Sequence, residues 1–327
     1  MNKISIQRFY TIVLTTLITI YLVILAGAIV RSTGSGMGCP DWPKCFGTYI
    51  PPTEESQLPA NYKEKYSVKG HPAEFNIYKT WTEYVNRLVG ALAGIFVFIQ
   101  CIYAIRFFKT KPSFFWLSAL LVVLMGFQGV LGARVVFSFL QPVMITIHMF
   151  VALIIMGILI WLWIDVKYSI NLLSDPGYKK ERIDKKYKMF MYALLILSCI
   201  QIFLGTEVRQ EIDTISSLLL YEYRNTWIEL VGIDFIIHRS YSIIITAFSI
   251  LITYFLIKEK IRLPKASNHA IVISSIIAAE IVVGVILSYF SLPPWAQPIH
   301  LLLSTLLIGC QLAFVFRFMV GQNVRSV

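Results

Sequence analysis

The stretch "TIVLTTLITIYLVILAGAIV", Thr11–Val30, runs for twenty residues without a charged side chain. About 20 apolar residues in a helix cross the hydrocarbon core of a bilayer, and backbone in lipid must satisfy its own hydrogen bonds. Leu88–Ile105 and Met189–Thr206 repeat the pattern, each charge-free over 18 residues. The chain of 327 residues is 57% hydrophobic and only 14% charged, which excludes a soluble domain of this length. An all-α integral membrane protein is predicted, with eight transmembrane helices at about 10–30, 84–106, 113–134, 143–164, 189–208, 236–257, 269–290 and 298–317. The first span is long and lacks a small-residue cleavage site, so a retained helix is expected rather than a signal peptide.

The net charge of +11 is a matter of topology. The N-terminus, alternate loops and C-terminus together hold Lys3, Arg8, Arg106, Lys109, Lys111, the run Lys167 to Lys188, the run Lys258 to Lys265, Arg317 and Arg325. That is 18 of the 29 Lys and Arg, against five acids: Asp165, Asp175, Glu181, Asp184 and Glu259. The bias follows the positive-inside rule, which places both termini in the cytoplasm and the basic segments against anionic membrane lipids. No basic patch is interleaved with aromatics, so nucleic acid is not expected as a partner.

The chain also repeats itself. In one register Asn86 falls on His238, Arg87 on Arg239, Gly132 on Gly284, Pro142 on Pro294 and His148 on His300. The interval from Asn86 to His148 equals that from His238 to His300. "LAGAIVRS" (Leu25–Ser32) and "FLGTEVRQ" (Phe203–Gln210) precede the two copies. A tandem duplication of a four-helix unit follows. An even number of spans gives both copies one orientation, two bundles related by a pseudo-twofold axis along the membrane normal. The expected division is an N-terminal half over 1–168 carrying a large extracytoplasmic loop at 31–82, a cytoplasmic linker at 169–188, and a C-terminal half over 189–327.

Of five histidines, His148, His238 and His300 sit about one turn inside even-numbered spans, which begin at the outer face; Asn86 stands at the same depth. His71 and His269 do not fit the pattern. An imidazole in a membrane helix is costly without a partner and usually marks function. Two histidines at one depth on repeat-related helices suit the axial ligation of a haem between helices six and eight. Zinc is the rival, but it wants a third histidine or a cysteine at that depth; structural and proton-relay roles also stand. No C-x-x-C-H occurs, so a c-type attachment is not expected. Arg87 and Arg239 directly follow the ligand positions and suit haem propionates, or they snorkel to the interface.

"GSGMGCPDWPKC" (Gly34–Cys45), "EYVNR" (Glu83–Arg87), "TIHMF" (Thr146–Phe150), "IIHRS" (Ile236–Ser240) and "PIHLL" (Pro298–Leu302) resemble the haem A synthases over nearly the whole chain. The resemblance implies oxidation of a methyl group of haem O to a formyl group, by successive hydroxylations and loss of water. It implies haem A as product for cytochrome c oxidase assembly, and haem O synthase as upstream partner. It implies a haem b on His238 and His300, and a substrate site at Glu83, Asn86 and His148. Glu83 stands one helical turn before Asn86 on the same face, where the second copy has Phe235; Glu83 and Asn86 are expected to be catalytic, and His148 the substrate-haem ligand. The resemblance also implies a redox-active or structural pair at Cys39 and Cys45, in a compartment that permits disulfides. The sequence departs from the commonest family pattern at Asn86, where a histidine is usual, so His148 is the evident strong iron ligand there.

Cys101, Cys199 and Cys310 lie in spans and read as packing residues. Glu280, mid-span in helix seven and matching Gln128, is either a protonated, hydrogen-bonded carboxyl or part of a proton route. Two rival functions remain. A di-haem b-type electron-transfer cytochrome expects equivalent ligand pairs in both halves, against the Asn86 and Glu83 asymmetry. A transporter with parallel repeats expects broken helices near mid-membrane, against continuous spans.

Overall fold

The computed structural model describes residues 2–175, 177–178, 181–220 and 222–319; Lys179, Lys180 and Arg325 of the basic sets lie outside them. Ten α-helices follow in order: α1 Lys3–Ser32, α2 Tyr62–Lys65, α3 Ile77–Ala104, α4 Pro112–Phe137, α5 Pro142–Ser174, α6 Lys185–Leu218, α7 Trp227–Val231, α8 Ile233–Lys258, α9 Pro264–Tyr289 and α10 Ala296–Met319. Among the described residues, all but α2 and α7 are long and apolar enough to cross a membrane, eight in all. The fold is all-helical, and the protein is an integral membrane protein.

Local sequence explains the helix starts. Asn2 caps α1 by accepting the Ile4 N–H at 2.9 Å, and Asn76 caps α3 by accepting that of Lys79 at 3.1 Å. Pro112 and Pro264 open α4 and α9, where a missing N–H costs nothing. Glu181 then accepts the Lys265 and Ala266 N–H groups, both at 3.1 Å, and so satisfies the first turn of α9.

The helices are apolar on both faces, as lipid-embedded helices must be. On α3 the stripe Ala93, Val97, Gln100 and Ala104 is buried, while Leu88, Leu92, Ile95, Ile99 and Ile102 point outward. The outward stripe is exposed and matches the acyl chains of a bilayer.

The chain divides into two compact units, Met1–Leu162 and Trp163–Val327, with the division inside α5. In the first unit α3 packs on α1 and on α4. Ile6, Phe9, Val13, Leu17 and Ile20 give α1 one buried stripe. Phe9 meets Phe107 and Phe114 with ring centroids 5.2 and 5.4 Å apart. In the second unit α6, α8, α9 and α10 close a ring of contacts, α6 on α8, α8 on α9, α9 on α10 and α10 on α6. Its core includes Met191, Leu194, Ile252, Leu256, Ile273 and Phe314.

α6 runs ten residues further than hydropathy alone suggests. Val208, Ile212 and Ile215 follow helical spacing and are buried with Trp227 and Val231, so this last segment is an amphipathic cap. The α4–α5 and α9–α10 connections use one device. Phe139 and Leu140 hold φ of 57° and 58°, and Ser291 and Leu292 hold 56° and 55°. The Leu140 N–H returns to Val135 O at 2.9 Å and that of Leu292 to Leu287 O at 3.0 Å. Consecutive left-handed residues other than glycine are costly. Side chains offset the cost: His71 stacks on Phe139 with centroids 4.0 Å apart, and Arg224 donates to the Ser291 and Leu292 carbonyls at 3.0 and 2.6 Å.

The loop joining α1 to α3 packs as a small cap. Cys39 and Cys45 form a disulfide that is buried with Phe46, Tyr62 and Ala73. Asp41 turns the loop by accepting the Phe46 and Gly47 N–H groups at 2.6 and 2.8 Å.

Candidate functional site

Four helices present the ligand-position residues, and each does so against a glycine on a neighbour. A methyl placed on Gly205 of α6 falls 3.0 Å from Cε1 of His238 on α8. Gly132 of α4 faces Cε1 of His148 on α5 at 3.6 Å, Gly284 of α9 faces Cε1 of His300 on α10 at 3.7 Å, and Gly27 of α1 faces Oδ1 of Asn86 on α3 at 3.9 Å. The absence of a side chain lets each ring edge approach the next helix closely. One turn before three of these glycines stands a polar residue. Gln128 and Gln201 donate from Nε2 to the backbone carbonyls of His148 and His238, at 2.9 and 3.0 Å. Glu280 sets Oε2 2.5 Å from Nδ1 of His300, out of line for a hydrogen bond. The signal was available in the sequence as "QGVLG", "QIFLG" and "EIVVG", with "VILAG" in α1. Read singly these are unremarkable apolar turns, and only the facing histidines give them meaning.

His238 on α8 and His300 on α10 both belong to the ring of helices in the second unit. Nδ1 of His148, His238 and His300 is buried without a hydrogen-bond partner, and among the described residues no hydrogen bond engages Nε2 of any of the three. Such groups are expensive to bury unless they serve a ligand. Among the described residues no three His, Cys, Asp or Glu are grouped to hold a bare metal ion. A donor set of paired imidazoles fits haem, whose porphyrin supplies the four remaining nitrogens. No hydrogen bond or ion pair joins Asn86 to His148. Asn86 instead borders an apolar groove of about 580 Å³, lined also by Ala26, Ile29, Trp81 and Val85.

Glu83 and Arg87 are drawn into the disulfide loop. Glu83 is 4% exposed; its Oε2 accepts the Cys39 N–H at 2.8 Å and its Oε1 accepts Arg87 Nη2 at 2.6 Å. Arg87 also donates from Nη2 to Cys39 O at 2.8 Å, and from Nη1 to Asp41 O and Lys44 O at 2.7 and 2.9 Å. Thr80 Oγ1 donates to Gly38 O at 2.8 Å, and no side chain fits at Gly38, which lies against the Lys79 backbone. The first turns of α3 therefore grip the "GCPDWPKC" loop at its disulfide. Arg239, the repeat counterpart of Arg87, is exposed, its guanidinium 5.5 Å from the Phe235 ring centroid.

Residues 10–312 match the family of cytochrome oxidase assembly proteins known as COX15-CtaA. The chain belongs to this family. Relatives carry the name "Heme A synthase". That of Bacillus mycoides (strain KBAB4) is 29% identical over 217 residues, 64% of this chain and 60% of the relative. That of Shewanella oneidensis is 32% identical over 162 residues, 50% of this chain and 47% of the relative. That of Shouchella clausii is 24% identical over 281 residues, 82% and 81% of the two. The chain thus spans less than two thirds of the Bacillus mycoides and Shewanella proteins, and more of the Shouchella one.

Gly205 gives the sharpest local test of the cradle. Gly205→Ala is expected to displace the His238 ring by a few tenths of an ångström or tilt it, since its Cβ meets the ring at 3.0 Å. Were a haem held on these imidazoles, electron paramagnetic resonance should show an altered low-spin signal, while Gly284→Ala, with 3.7 Å of room, changes it less. The reverse order would refute the cradle.

Proposed function

We propose that this chain is a haem A synthase, oxidising a methyl group of haem O to a formyl group to give haem A. The observation that carries the reading is the set of three imidazoles, each seated against a glycine with Nε2 unengaged, in a membrane protein of this family. The relatives' shared name supports it.

His238 and His300 are the proposed ligands of a haem b, which supplies one-electron redox chemistry when bound. Two imidazole ligands would leave such a haem no open site, which would suit electron transfer with little rearrangement. Arg239 is proposed to meet haem propionates from its exposed position. Its counterpart Arg87 has both Nη atoms engaged with the loop, so its proposed contribution to haem binding is through that loop. In the first unit His148 is the proposed ligand of the substrate haem, and Asn86, a poor iron ligand, orients water on the other face. Glu83 is the proposed catalytic carboxylate. Two hydrogen bonds occupy only part of its acceptor capacity, since a carboxylate offers about four lone-pair positions. It remains able to take a proton from water attacking the oxidised methyl, or to stabilise a cation there.

The division into two four-helix bundles of one orientation, related along the membrane normal, is part of this proposal. The matching left-handed turns at 139–140 and 291–292 and the recurring glycine contacts support it. So are termini in the cytoplasm, haem sites toward the extracytoplasmic side, and a supply of haem O from a haem O synthase. The product would serve cytochrome c oxidase assembly.

The rival is a di-haem b-type cytochrome. Extraction of pigments from the purified protein, expressed with a source of haem O, separates the two. Haem B together with haem O or haem A supports the synthase. Two haem B per chain supports the cytochrome, and no haem at all removes both.

A further inference from the structure

One of the three glycine-backed imidazoles departs from the others. Gln128, Gln201 and Glu280 each precede by one turn the glycine that faces an imidazole. The two glutamines reach past the ring to the ligand residue's own backbone carbonyl. Glu280 has no N–H to donate, and its Oε2 lies 2.5 Å from the ring nitrogen Nδ1 of His300. Among the described residues, only the His300 ring of the three has a carboxylate against it. The Glu280 side chain is 12% exposed, so water screens the contact little.

The exchange has no architectural reason. A glutamine at this place already serves α4 and α6, and a carboxyl inside a membrane helix is costlier than an amide. The carboxylate therefore acts on the ring it touches. Resting on the assignment of His238 and His300 as haem b ligands, we propose that Glu280 sets the reduction potential of that haem through His300. Coordination through Nε2 would leave the ring proton on Nδ1, the atom against Oε2, so the carboxylate's charge bears directly on the ligand ring although the two are out of line for a hydrogen bond. Negative charge so close stabilises the ferric form against the ferrous form, one electron apart. Glu280 is thus a positioning and potential-setting residue that makes no contact with iron, and the first copy lacks it because Gln128 stands there.

The test is potentiometric titration of the haem-loaded full chain, comparing wild type with Glu280→Gln. The substitution installs the residue that α4 and α6 already use, so the bundle and the low-spin haem are expected to persist. At a fixed ambient potential the ferrous-to-ferric ratio should rise about tenfold, a midpoint about 59 mV higher for one electron. Glu280→Asp, which keeps the charge, should move the midpoint less. An unchanged midpoint in Glu280→Gln overturns the proposal, as does loss of haem from that variant, which would make Glu280 a retention residue. His300→Ala serves as the control for the underlying assignment. If it keeps the full low-spin spectrum, the haem b reading itself fails; if it loses the spectrum while Glu280→Gln titrates like wild type, only the role of Glu280 fails.

Discussion

His238→Ala and His300→Ala are each expected to abolish the low-spin haem spectrum while the protein still inserts in the membrane. A six-coordinate low-spin iron needs both axial nitrogens, and among the described residues neither neighbour replaces a ring: Gln201 faces the His238 backbone, and Glu280 is a carboxylate. The apolar cores of the helices, such as Met191, Leu194, Ile273 and Phe314, do not depend on either imidazole, so expression and membrane extraction should be near wild type. His148→Ala should leave the low-spin signal in place and abolish conversion of haem O. Optical spectra of dithionite-reduced protein, with pigment analysis by chromatography, read all three. Full low-spin signal in both the His238 and His300 variants would dismiss the ligand assignment.

Glu83→Gln is expected to lower haem A formation roughly a hundred-fold or more, the scale of a lost general base, with haem O or a hydroxymethyl haem accumulating. The structure adds a second way for this residue to matter, because its carboxylate holds both the Cys39 N–H and Arg87. Arg87→Ala separates the two. It removes the donor to Cys39, Asp41 and Lys44 and leaves Glu83 buried without its ion partner, a destabilisation of about 3 kcal/mol. The loop should then become sensitive to protease, and the disulfide more open to reductant. If Glu83→Gln blocks turnover while the loop stays protease-resistant, the carboxylate acts in chemistry. If turnover falls only together with loop protection, Glu83 is a loop anchor. Full haem A production by Glu83→Gln would eliminate it as a catalytic residue.

The spans and the spacing shared by the two halves are readable without coordinates, because each rests on short-range patterns. A charge-free run such as Thr11–Val30 has one stable state in lipid, a helix, whatever it packs against. The repeat preserves spacing, so Asn86, His148, His238 and His300 declare themselves as one set. Tertiary structure alone decided what those residues touch. Glu83 meets Cys39 across 44 residues of sequence, and no periodicity encodes that a loop will fold back on the first turns of α3. The glycines at 27, 132, 205 and 284 look like ordinary helix residues until the facing rings are in place. The extra turns of α6 hide in the sequence because their polar side dilutes the hydropathy, and they persist because Ile212 and Ile215 are buried beneath Trp227. Glu280 shows the division most plainly. Its place in an apolar helix is evident in the sequence, but that it lies against His300 depends on the register of α9 against α10, which packing across the helix pair sets.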